Sequence, residues 1–78
     1  MTMNKARRKA LEEINGKIED LKSDLEGLRD EEQAYLDNMP ESLQQGEKAE
    51  MAENAVGSMD EAIEALETAG SSVGDSAQ

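Results

Sequence analysis

From residue 11 onward the large apolar residues of the first half fall at Leu11, Ile14, Ile18, Leu21, Leu25 and Leu28. This alternation of three and four residues is the spacing of a helix with one apolar stripe facing a partner helix. Extending it in heptads reaches Glu32, Tyr35 and Met39, so the stripe continues with one acidic interruption. Good helix formers occupy most other positions, and Gly16 and Gly27 weaken the helix by only ~1 kcal/mol each relative to alanine. The pattern predicts helix 1 over about residues 4–36, roughly 50 Å long at 1.5 Å per residue.

The second half carries a stripe of smaller residues: Ala52, Ala55, Val56, Met59, Ala62, Ile63, Leu66 and Ala69. A flat alanine-rich face suits the large ridges of helix 1, which predicts direct packing of the two helices. Helix 2 is expected over about residues 46–69, with Gly70 as its C-terminal stop. Residues 70–78, GSSVGDSAQ, then read as a flexible tail.

Between the stripes lies DNMPESLQQGE, residues 37–47, with the chain's one proline. Pro40 removes a backbone donor and disfavours helical geometry at Met39, which places a corner over residues 37–46. Asn38 and Glu41 have the spacing of a capping arrangement around one helical turn that would lay Leu43 on the end of the core. Short connections join antiparallel neighbours, and a kinked continuous rod is the alternative. The fold class is therefore all-α: residues 1–69 form one domain, an antiparallel two-helix hairpin of coiled-coil type. Leu11, Ile14, Ile18, Leu21, Leu25, Leu28, Met59, Ile63 and Leu66 are its core and dimer seam. A hairpin of 78 residues is marginal alone, and without cysteine or histidine the remaining support is self-association. A homodimer with a four-helix arrangement is expected.

Charge narrows the partners. The chain has 8 basic and 19 acidic residues and a net charge of −11. Lys5, Arg7, Arg8 and Lys9 stand at the start, leaving 4 basic against 19 acidic residues, or −15, from residue 10 onward. That field repels nucleic acid and anionic membrane and attracts basic proteins. In an antiparallel hairpin the basic cluster is expected beside Glu61, Glu64 and Glu67. No apolar run approaches the ~20 residues of a membrane span, and the basic start is not followed by a signal-peptide core. The cytoplasm of a host cell is the expected location.

Catalysis has little to work with. Without His or Cys, nucleophilic triads, zinc sites and Glu-x-x-His di-iron sites cannot be built, and no segment matches a calcium loop. No catalytic, cofactor-binding or metal-binding residue is assigned, and no enzyme activity is expected. The carboxylates do form columns. On helix 2, Glu50, Glu53, Asp60, Glu64 and Glu67 follow offsets of 3, 7, 4 and 3; on helix 1, Asp20, Asp24 and Glu31 lie in another column. Such columns usually solvate a small bundle. Acids on successive turns are also roughly 5–6 Å apart, near the spacing of phosphates, and can enter a basic groove shaped for nucleic acid. Intrahelical pairs such as Lys22 with Glu26 moderate helix 1.

The elements DEEQ (residues 30–33) and NMPESLQ (38–44), after the basic start NKARRKALEEI, resemble a group of small acidic helical proteins encoded by bacteriophages and prophages. The resemblance covers most of residues 4–67 and implies a phage source and a small helical fold rather than an activity. The functional expectation is a non-catalytic phage accessory protein that binds and inhibits a host or defence protein through acidic helical faces, as a nucleic-acid mimic. The alternative is a structural or assembly coiled coil that works through its apolar seam.

Overall fold

The side chain of Asn4 starts the first helix. Asn4 is extended, with φ −66° and ψ 157°, and its Oδ1 accepts the Arg7 backbone N–H at 2.9 Å, satisfying one of the amides a helix start leaves open. In this computed structural model, residues 4–44 and 46–77 are described. They form α1 (Lys5–Asp37), one 3-10 turn (Glu41–Leu43) and α2 (Glu47–Ser76). Asn38 ends α1 with φ −90° and ψ 0°, its N–H still reaching the Ala34 carbonyl at 3.0 Å. Pro40 then turns the chain into extended geometry at φ −55° and ψ 143°, and the Gln44 side-chain amide ties the corner by donating to the Met39 carbonyl at 3.0 Å. Glu47 and Glu50 lie in the first turn of α2, where negative charge complements the helix dipole.

The chain doubles back, and α1 and α2 pack along their length into an antiparallel hairpin 61 × 15 × 12 Å. No kinked rod forms. Two corner details differ from expectation. No side chain caps the 3-10 turn, so Asn38 closes α1 instead of opening the turn. Leu43 is exposed, and Met39 plugs the end of the core in its place.

Among the described residues Met39, Ala49, Ala52 and Ile63 are buried. Alanine at 49 and 52 lets the helices approach closely just beyond the corner. Leucine at position 49, which is 1% exposed, would have to push α1 away; overpacking of this kind costs about 1–3 kcal/mol. Ala49→Leu is accordingly expected to lower the urea midpoint without changing the slope of the transition.

The helices meet one row over from the apolar stripe. On α1 the half-buried positions along the seam are Arg8, Leu11, Asn15, Ile18, Lys22, Leu25, Arg29, Glu32 and Leu36, leading to buried Met39, with Glu26 and Gln33 half-buried beside them. This is again a three-four alternation, but Leu11, Ile18 and Leu25 now alternate with Arg8, Asn15, Lys22 and Arg29. On α2 the matching positions are Ala49, Ala52, Val56, Met59, Ile63, Leu66, Gly70 and Val73.

Helix α2 does not stop at Gly70; it continues to Ser76, so residues 70–76 belong to the hairpin rather than to a tail. Gly70 has no left-handed backbone. Its role is spatial: a Cβ there would lie 3.1 Å from Asn15 Oδ1 and 3.7 Å from Ile18 Cγ2. Gly74 also faces Asn15, whose Nδ2 would lie 3.7 Å from an added Cβ. The longer helix shifts the charge pairing too. Glu67 pairs with Lys22 at 3.5 Å, which is 13 residues, or roughly 20 Å of helix, beyond Lys9. The basic cluster at 5–9 therefore lies near the end of α2 and not beside Glu61, Glu64 and Glu67.

Candidate protein-binding surfaces

A flat pair of helices has two broad sides, and here they differ in chemistry. One side is closed by polar side chains from the seam. Arg29 Nη1 donates to Asp60 Oδ1 at 2.8 Å while its Nε donates to Asp30 Oδ1 at 3.0 Å. Lys22, one heptad earlier, bridges to Glu67, one heptad later, and to Glu19 at 4.0 Å. The hydrogen bonds from Asp60 and then Asp30 hold the Arg29 guanidinium above its ordinary pKa, against the partial loss of water around it, so it stays charged throughout the accessible pH range. These contacts take Asp60 and Glu67 out of the free acidic column proposed from sequence. Lys22 reaches across to α2 instead of pairing with Glu26 along its own helix.

Glu50, Glu53 and Glu64 remain exposed, as do Asp20, Asp24 and Glu31 on α1. The column on α2 is therefore a ladder of mixed character, with two rungs neutralised by cations of α1 and three open to solvent. Lys48 is the one base after Arg29.

The opposite side is open and apolar. The structure divides the leucine stripe of α1: Leu11, Ile18 and Leu25 are half-buried against α2, whereas Ile14 (45% exposed), Leu21 (57%), Leu28 (56%) and Tyr35 (50%) form a second row directed away from the hairpin seam. These four recur every seven residues and project along one edge for about 32 Å. Across a shallow groove α2 answers with Met51, 64% exposed, and with Ala55 and Met59. Tyr35 lines this groove together with Leu28, Met51 and three charged residues, Glu31, Glu32 and Lys48. At 100° per residue, Ala62, Leu66, Ala69 and Val73 continue the same side of α2. Between Lys48 and Val73 that side contains no carboxylate; Glu50, Glu53, Asp60, Glu61, Glu64 and Glu67 project elsewhere.

Sequence periodicity identified this row as core and dimer seam together; within one hairpin Ile14, Leu21 and Leu28 are exposed and do not belong to the core. It missed Arg8, Asn15, Lys22 and Arg29 as seam residues, although their own seven-residue spacing was readable. Among the described residues no cluster of His, Cys, Asp or Glu is arranged to hold a metal ion. No helix is long and apolar enough to cross a membrane. Comparison with protein-family models, with curated proteins and with solved structures finds no match to this chain.

Proposed function

We propose that this chain is a non-catalytic binding protein which acts as a homodimer in the cytoplasm and occupies a basic groove on a host or defence protein. The observation that carries the proposal is the segregation of charge around α2: its neutral side is continuous from Met51 to Val73, and its exposed acids Glu50, Glu53 and Glu64 face elsewhere. These three acids share one face of α2 at 100° per residue, the face a basic groove would meet. A phage origin, implied by the elements at residues 30–33 and 38–44, belongs to the same proposal. Mimicry of a nucleic-acid backbone by the open rungs of the acidic ladder is the inhibitory mechanism, and direct nucleic-acid binding is not part of it.

Immobilised protein exposed to bacterial lysate is expected to retain a basic protein that is released by moderate salt and is no longer retained by the triple variant Glu50→Lys, Glu53→Lys, Glu64→Lys. These positions avoid the Arg29–Asp60 and Lys22–Glu67 bridges, so the hairpin is left intact. Retention that persists at about 1 M salt, where charges are screened beyond ~3 Å, and survives the triple variant would overturn the acidic mechanism.

The second reading, an assembly protein acting through its apolar seam, is favoured by one specific observation, the exposed row Ile14, Leu21, Leu28 and Tyr35. It requires a foreign coiled coil on that row, with binding that withstands salt and is lost on Leu28→Glu.

A further inference from the structure

We infer that the open apolar side is the seat of a second copy of this chain, docked antiparallel so that the corner of each hairpin lies over the open end of the other. This deepens the homodimer of the preceding proposal by naming its interface and orientation. Three observations lead to it.

The first is amount. Four large side chains of α1 and Met51 of α2, each near half exposed or more, together present roughly 500 Å² of apolar surface, at the upper end of what a monomer leaves uncovered. With the alanines beside them, this side approaches the ~800 Å² that each partner contributes to a standard interface.

The second is spacing. A two-fold axis crossing α1 midway between Leu21 and Leu28 sets Leu21 against the partner's Leu28 and Ile14 against the partner's Tyr35. One row thus satisfies itself, as an isologous contact requires. The small residues of α2 on the same side, Ala55, Ala62 and Ala69, allow the two copies to approach.

The third is charge. Two chains of −11 repel, and α2 adds no carboxylate to this side; Glu31 and Glu32 of α1, which line it, fall opposite Ile18 and Lys17 of the second copy rather than opposite acids. Antiparallel docking also brings Lys5, Lys9 and Lys17 of one copy towards the end of the partner that holds Glu31, Glu32 and Asp37. The same-end arrangement would stack like charge on like.

Sedimentation equilibrium of the purified chain is expected to give twice the 8.5 kDa chain mass. Self-association should tighten as salt screens the net repulsion, the opposite of the salt response expected for acidic-face binding. No partner is needed for this measurement, so the dimer and the proposed target can fail separately. Combining Leu21→Glu with Leu28→Glu should weaken self-association by about 100-fold or more. Both side chains lie outside the hairpin seam, and unchanged helical circular dichroism would show that the fold persists.

Orientation is read by oxidising mixed copies carrying Ile14→Cys and Tyr35→Cys in this cysteine-free chain, using variants that still sediment as pairs. A mixed disulfide is expected. Wild-type protein that sediments as one chain across the concentration series, or paired copies in which Tyr35→Cys links only to itself, would overturn the inference.

Discussion

Ile63→Asp is expected to abolish the hairpin, with loss of most of the helical circular dichroism at neutral pH. Ile63 is the one large residue of α2 that is buried, at 6% exposure, and it lies between Asp60 and Glu67, which already engage the seam cations Arg29 and Lys22. A carboxylate placed there has no partner. Removing the side chain alone costs about 2–5 kcal/mol, and an unpaired buried charge adds more. A chain of this length commands only about 4–12 kcal/mol in total at 0.05–0.15 kcal/mol per residue. Leu28→Asp provides the contrast, since Leu28 is 56% exposed within the hairpin. Its helicity should be retained while association is lost. Equal loss of helix in the two variants would show that the buried row has been assigned wrongly.

The second large effect has the opposite sign. Gly16, Gly27 and Gly57 lie inside the helices, and an added Cβ at any of them meets nothing within 4 Å. Helical glycine is less favourable than alanine by ~1 kcal/mol at each position, so the triple alanine variant should gain roughly 2–3 kcal/mol. For a domain of this size that corresponds to a rise in Tm of about 10 °C or more. Gly70→Ala should not share the gain, because Asn15 Oδ1 already occupies the space at 3.1 Å. Gly16→Ala, Gly27→Ala, Gly57→Ala and Gly70→Ala can also be compared singly in one denaturation series. A stabilisation at Gly70 as large as that at the other three would remove the close approach of Asn15 from the account of α2.

The hairpin itself was legible because its signals are local. A single proline at 40, two long apolar stripes and a short connection admit few other folds, and Pro40 also places the end of helix 1 near residue 37. What periodicity could not decide was the direction in which a wide stripe faces. Leu11, Ile18 and Leu25 belong to two adjacent rows, one completed by Ile14, Leu21 and Leu28 and the other by Asn15, Lys22 and Arg29. Hydrophobicity alone selects the first for the interior, yet pairing with α2 selects the second. The reason lies across the seam, where Asp60 and Glu67 offer Arg29 and Lys22 partners that no leucine could use. The end of α2 was missed for a similar reason. Gly70 resembles a helix stop until the folded chain shows α2 running on to Ser76, with Asn15 Oδ1 only 3.1 Å from where a Cβ at position 70 would sit. The acidic column was legible as a pattern, but only the folded chain shows which carboxylates are already engaged.

Segregation of charge also sets a limit on growth. A second hairpin seated on the neutral side would face outward with salt bridges and carboxylates, and so would the first. No uncovered hydrophobic strip would remain to recruit a third chain. A two-fold contact that consumes the single adhesive side closes on itself, whereas a molecule sticky on both sides would propagate into fibres. The sedimentation measurement that counts two chains thus also tests whether assembly ends there.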